Sequence, residues 1–220
     1  MKTVLIASTI VNPNALRSIG YVFDEPADSC IDVMSEVAGR NCYQSWHRPN
    51  PATRENSDYL SNVIQQGHTS VLAHNNVTFY IECSRSCATQ MIRSRFLAFS
   101  ELSQRFVDMS DTDIEIHPAI KEPVLLDELD DILEHAKESY ERIVDSLVSK
   151  GLTRKQAREA ARGVLPIMTQ TKLIVSGNIR AWRDFISQRD TRHADAEIRE
   201  LAQRIRADLE EIAPNSMQHL

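Results

Sequence analysis

Three arginines, three serines and a glutamate fall within thirteen residues, Arg93 to Arg105, in the order R-S-R-F-L-A-F-S-E-L-S-Q-R. Arginine offers five donors in a rigid fork that suits a phosphate, a carboxylate or a carbonyl edge. Serine hydroxyls add short donors and acceptors that sit close to a ligand. The mixture is poor core material and good anion-site material; the competing reading is a solvated helix face with incidental arginines. Two further polar clusters follow in the chain. One is Glu159 and Arg162, ahead of Pro166; the other is N-I-R at 178–180, followed by Arg189 and His193.

Several chemistries lose support from what the sequence lacks. Six glycines leave little room for a phosphate-cradling loop, and no GxGxxG or Walker-type segment is present. HExxH and GxSxG are also missing, which disfavours zinc hydrolysis and an elbow serine nucleophile. Ser103 beside Arg105 has no His–Asp pair assignable to it. His68 and His74, six apart, do not share a helical face, so a common metal ion there is not expected. The four cysteines, Cys30, Cys42, Cys83 and Cys87, form no CxxC pair. They are read as reduced, small buried side chains of a cytoplasmic protein rather than as nucleophiles.

The bulk of the chain frames the site. At 220 residues it is expected to form one domain with a substantial core. A net charge of −6 gives no global attraction to nucleic acid or to an acidic membrane, so any anion site must be local. No apolar run approaches the ~20 residues of a membrane span. The opening M-K-T-V-L-I-A-S-T-I is read as a first strand, not a signal peptide.

Periodicity supplies the elements that must position these groups. A strand is expected over 2–10, then an Asn- and Pro-rich loop, a helix over 27–43 capped by Asp28 or Ser29, and a loop around Trp46, Pro49 and Pro51. A second helix over 55–66 is stopped by Gly67. H-T-S-V-L-A-H at 68–74 reads as a loop, 76–82 as a strand, and 84–93 as a short helix running into the arginine stretch. The longest helical pattern covers 125–149. Thr153 caps a helix over 154–164, 168–176 reads as a strand, and helices follow over 179–190 and 194–213. The class is α/β or α+β, with more helix than strand and the candidate residues placed on helices and loops.

At this point the chain resembles a known family, the flavin-dependent thymidylate synthases, whose signature is R-H-R, seven residues, then S-x-R. Arg93, Arg95, Ser103 and Arg105 match it, and Glu101 stands where that family often has glutamate or glutamine. H-T-S at 68–70, A-R-G-V-L-P at 161–166, G-N-I-R-A-W-R at 177–183 and the Arg189–His193–Ala194 pattern follow in order and spacing, over roughly residues 30 to 214. The resemblance implies a central sheet with flanking helices, assembled as a homotetramer whose sites are shared between chains. It implies reductive methylation at uracil C5, dUMP to dTMP, with FAD as cofactor and NADPH and methylenetetrahydrofolate as co-substrates. It implies a uracil nucleotide monophosphate held by Gln90, Arg93, Glu101, Ser103, Gln104, Arg105, Arg162 and Arg189, with Arg189 the catalytic group that stabilises negative charge on the ring. FAD would be held by His68, Ser70, Arg93, Ser94, Arg95, Glu101, Asn178, Arg180, Asp184 and His193.

The chain also departs from that pattern. The signature histidine is Ser94, the first signature serine is Ala98, and Ser100 occupies the usual Asn or Ser position. Ala73 replaces a frequent glutamate and Asp184 a frequent asparagine. Smaller residues leave room for a ribose 2′-hydroxyl, so a relative that C5-methylates UMP, as in nucleoside-antibiotic pathways, stands beside the dUMP reading. A dUMP hydroxymethylase and a non-catalytic nucleotide- or RNA-binding relative complete the alternatives.

Overall fold

The computed structural model describes residues 1–21 and 29–220. Four strands, β1 (Lys2–Ser8), β2 (Val77–Ser84), β3 (Ala98–Glu101) and β4 (Gln170–Gly177), form one sheet in the order β1-β2-β4-β3. Every pairing is antiparallel. Among the described residues the helices are α1 (Pro13–Ser18), α2 (Cys30–Tyr43), α3 (Asn56–Gln65), α4 (Arg85–Met91), α5 (Pro123–Ser149), α6 (Arg154–Ala161), α7 (Ile179–Arg189) and α8 (Ala196–Ile212). The class is the expected mixture of helix and sheet.

Alternation along β2 and β4 decides the layering, because successive side chains on a strand point to opposite faces. Val77, Phe79, Ile81 and Cys83 point into the core with Leu173 and Val175. Helices α4, α7 and α8 cover this face, with α2 and α3 packed beyond them. The other face carries Val4, Ile6 and Ile174, all exposed. A second apolar cluster stands apart from the sheet: Met109 packs with Tyr140 and Val144 of α5 and with Ala157 and Ala161 of α6.

Local chemistry sets the helix ends that matter for the site. The Asn178 side chain caps α7 by accepting from Ala181 N at 2.9 Å. Ile179, Trp182, Phe185 and Ile186 then face the core at helical spacing, which turns Arg180 and Asp184 outward. A capping box between Thr153 and Gln156 starts α6. Ser29 caps α2 by accepting from Asp32 N at 3.0 Å; Asp28, the other expected cap, lies outside the described residues. The chain leaves α3 through Gly67 at φ +75, a left-handed conformation that favours glycine.

Several expectations need correction. The first strand ends at Ser8, and the Asn- and Pro-rich loop contains α1, where the Asn12 side chain caps Pro13 at the first helical position. The helix expected to 93 ends at Met91, and Ser84 is its cap rather than its first residue. The helix expected to 164 is α-helical to Ala161 and continues as a 3-10 turn, Arg162–Val164. Pro51–Thr53 and Thr69–Ala73 are also 3-10 turns rather than open loop. The arginine stretch is not confined to helix and loop, since its centre is β3. Not all four cysteines are buried: Cys83 and Cys87 are, Cys30 is half-buried and Cys42 is exposed. Among the described residues, no helix is long and apolar enough to cross a membrane.

Candidate functional site

The arginine stretch crosses from the end of α4, along β3, into a tight turn. In that turn the Ser103 carbonyl accepts from Phe106 N and Val107 N at 3.0 and 2.9 Å. Leu97 is buried in the stretch, while Arg93, Arg95, Phe96 and Arg105 are exposed around it. Leu97 seats directly on Gly177, where a Cβ would collide with its Cδ2. The last residue of β4 is therefore a glycine at the point where the first polar cluster meets the third.

Glu101 is held from two sides. Its Oε1 accepts from Arg85 Nη1 and from the buried Thr171 Oγ1, each at 3.0 Å. Among the described residues its Oε2 has no donor and remains available to a ligand. Arg189 lies at the C-terminal end of α7, where the helix dipole favours a cation. Its Nη2 donates to the Gln90 carbonyl at 3.2 Å, joining α7 to α4. Among the described residues, Arg189 Nε, Gln104 Nε2 and Arg158 Nε are buried donors without an acceptor. A buried donor left unpaired costs roughly 1–3 kcal/mol, so each is open to an acceptor from outside the chain.

The second cluster reaches the first through Arg105 and Glu159, 3.9 Å apart, with both side chains about half exposed. Arg162 opens the 3-10 turn after α6. Among the described residues, Arg93, Arg95, Arg162 and Arg180 make no ion pair and no side-chain hydrogen bond within the chain. A protein of net charge −6 that leaves these guanidinium groups uncompensated holds a locally cationic surface.

Two adjoining hollows lie against the start of α7. One, of about 340 Å³, is lined by Ala73, Phe96, Asn178, Arg180, Ala181 and Asp184. The other, of about 440 Å³, shares Ala73, Phe96 and Asn178 and extends past His74 and Ala98 to Gly177. An exposed aromatic ring, a helix N-terminus and an unpaired arginine suit a ligand that is part planar ring and part phosphate, so these residues fit a flavin dinucleotide. Among the described residues, Asp184 is the one carboxylate lining the smaller hollow; Gln188 Nε2 donates to it at 2.9 Å, which orients the group without cancelling its charge.

Of the residues expected at a cofactor site, Asn178, Arg180 and Asp184 line these hollows, while His68, Ser70, Arg93, Ser94, Arg95, Glu101 and His193 do not. Ser70 sits in the Thr69–Ala73 turn, which packs against α7. His68 precedes that turn, and His193 accepts from Arg192 Nε at 3.3 Å beyond the end of α7. Sequence reasoning missed Phe96, His74 and Asn75. The exposed Phe96 was legible only as one more apolar residue in the stretch. Asn75 carried no periodic signal, yet it is buried and accepts from Ile179 N at 3.0 Å, fixing the start of α7.

Among the described residues, no cysteine lines either hollow. A hydrogen bond with Cys83 and then burial push the Cys87 thiol far above its ordinary range. Among the described residues, no group of three or more His, Cys, Asp or Glu side chains is arranged to hold a metal ion.

Comparison with known proteins agrees in extent with the motifs. The family model described as thymidylate synthase complementing protein matches residues 30–215. A Mycobacterium phage L5 protein named probable flavin-dependent thymidylate synthase is 48% identical, over 100% of this chain and 97% of its own length. The flavin-dependent thymidylate synthase of Mycobacteroides abscessus is 45% identical over 82% of this chain and 76% of its own. That of Mycobacterium tuberculosis is 44% identical over 81% and 75%.

Proposed function

Because this chain belongs to the thymidylate synthase complementing protein family, and is an enzyme of that family, we propose that it methylates C5 of a uracil nucleotide 5′-monophosphate reductively, converting dUMP to dTMP. Methylenetetrahydrofolate supplies the carbon and NADPH the reducing equivalents, with FAD bound. The observation that carries the reading is that Arg189 Nε and Gln104 Nε2 are buried and lack an acceptor among the described residues, in two segments that also carry the uncompensated Arg93, Arg95 and Arg180.

The chain's own groups divide the work. Arg105 and Arg162 hold the phosphate dianion, assisted by Ser103 and Gln104 in the turn after β3. Binding displaces the long Arg105–Glu159 contact in favour of a stronger charge-assisted one. Gln90, Arg93 and Glu101 hold the nucleoside end, and the free Oε2 of Glu101 accepts from a ligand donor. Arg189 faces the uracil edge and stabilises negative charge as N3 ionises and C5 becomes nucleophilic. Its tether to the Gln90 carbonyl holds it in place before the reaction, so little reorganisation is needed. Asn178, Arg180 and Asp184, with His68, Ser70, Arg93, Ser94, Arg95, Glu101 and His193, are the residues that would hold FAD. When bound, the flavin supplies the hydride chemistry, so no protein thiol is required.

The molecule works as a homotetramer in this reading, with cofactor and nucleotide sites completed across subunits. The exposed Val4, Ile6 and Ile174, on the sheet face opposite the helices, are in keeping with burial in an assembly. Ala73 and Ala98 both line the larger hollow, so the space these small residues leave lies at the flavin end of the site.

Titrating FAD into the purified protein tests the reading. A perturbed flavin spectrum on uptake, and a further change when dUMP is added, are expected from a species with the mass of four chains. A protein that ignores FAD would overturn it.

A further inference from the structure

The helical hairpin α5–α6 carries Arg162 but hardly touches the sheet layer. The principal neighbours of α5 and α6 are each other and the Arg162–Val164 turn. Arg105, by contrast, sits on the turn that leaves β3. Two arginines that share one phosphate are thus carried by two separately packed parts of the molecule, and something must fix their separation.

Arg158, one helical turn before Arg162, is built to do this. Its Nη1 donates to the Phe106 carbonyl and its Nη2 to Asp108 Oδ2, each at 2.6 Å, so a single guanidinium grips the segment that immediately follows Arg105. The Arg158 side chain is 16% exposed and that of Asp108 49%, so the guanidinium is packed while the carboxylate faces solvent. The far side of the segment is anchored as well. Asp108 Oδ1 accepts from Ser110 N at 3.2 Å, and Met109 is buried among Tyr140, Ala157 and Ala161. Met109 N also donates to Tyr140 Oη at 3.4 Å. Desolvation acts to raise the Asp108 carboxyl, but hydrogen bonds from Ser110 and Arg158 outweigh it and hold the group below its ordinary value.

We propose that Arg158 is a positioning residue for the phosphate subsite: by clamping Phe106 and Asp108 onto α6, it sets the spacing between Arg105 and Arg162. Both of its Nη atoms are spent on this segment, so its part is to position Arg105 and Arg162. The inference rests on the nucleotide reading given above. Its expected signature is selective, because a misplacement on the order of 1 Å at a pre-formed site costs affinity steeply while leaving distant sites alone.

The test titrates dUMP into FAD-loaded wild type, Arg158→Ala, Asp108→Asn and the double variant, with FAD affinity and thermal midpoint measured for each. Arg158→Ala is expected to weaken dUMP binding roughly tenfold with FAD affinity unchanged. Asp108→Asn, which keeps the shape of the segment, should weaken it less. The double variant should be no worse than Arg158→Ala alone, since both remove one interaction. Unchanged dUMP binding in Arg158→Ala, or equal losses for dUMP and FAD, would overturn the proposal. Should Arg158→Ala not fold, Asp108→Asn decides: selective weakening of dUMP supports the clamp, and wild-type binding overturns it. A wild-type protein that takes up FAD but binds no dUMP would sink the nucleotide reading itself rather than the role of Arg158.

Discussion

Arg189 shows how a single side chain can be poised by its surroundings. It sits at a helix C-terminus, is tethered by one nitrogen to the Gln90 carbonyl, and keeps a buried Nε without an acceptor. Arg189→Ala should lower kcat by about 10²–10³-fold, the usual loss when a donor aimed at developing charge is removed. FAD uptake, followed by its absorbance change, should stay intact; a parallel loss of flavin would contradict a role confined to the substrate. Arginine and serine spacing was legible in the chain because the signature residues are close in sequence. The roles of Arg85, Thr171 and Arg158 were not, because each acts through a partner far along the chain: Glu101 for the first two, Phe106 and Asp108 for the third. Sequence spacing carries no signal for contacts of that kind.

At the scale of elements, Gly177 joins β4, the arginine stretch and α7. Gly177→Ala places a methyl group against the buried Leu97 and should destabilise the fold by about 1–3 kcal/mol, the range for overpacking a filled site. Urea denaturation reads this as a lower midpoint at unchanged slope. An unaltered midpoint would mean that Leu97 is free to move and that the junction is loose. Long periodic elements were readable: β2, α5, α7 and α8 all lie close to their expected spans. Two short ones were not read. β3 is four residues, A-F-S-E, and exists through pairing with β4, some seventy positions away. The start of α1 did carry a signal, since Asn12 followed by Pro13 is an N-cap with proline at the first helical position; a six-residue helix gave too little periodicity to support it.

At the scale of the whole molecule, a chain of net charge −6 leaves Arg93, Arg95, Arg162 and Arg180 uncompensated among the described residues and exposes Val4, Ile6 and Ile174 on one sheet face. The class of the fold was legible from periodicity, because burial on one face imposes it. The grouping of the three polar clusters was not, because it follows from strand order β1-β2-β4-β3 and from a glycine contact that no local pattern encodes. The departures Ala73 and Ala98 were readable as residues, and only the fold shows that they line one hollow. The most direct test of the account is a product assay with FAD, methylenetetrahydrofolate and NADPH, run with dUMP and UMP side by side. The account predicts 5-methylated nucleotide with a large preference for dUMP, giving dTMP. Absence of any methylated product from a flavin-loaded protein would contradict it, and a preference for UMP would move the function to the ribonucleotide.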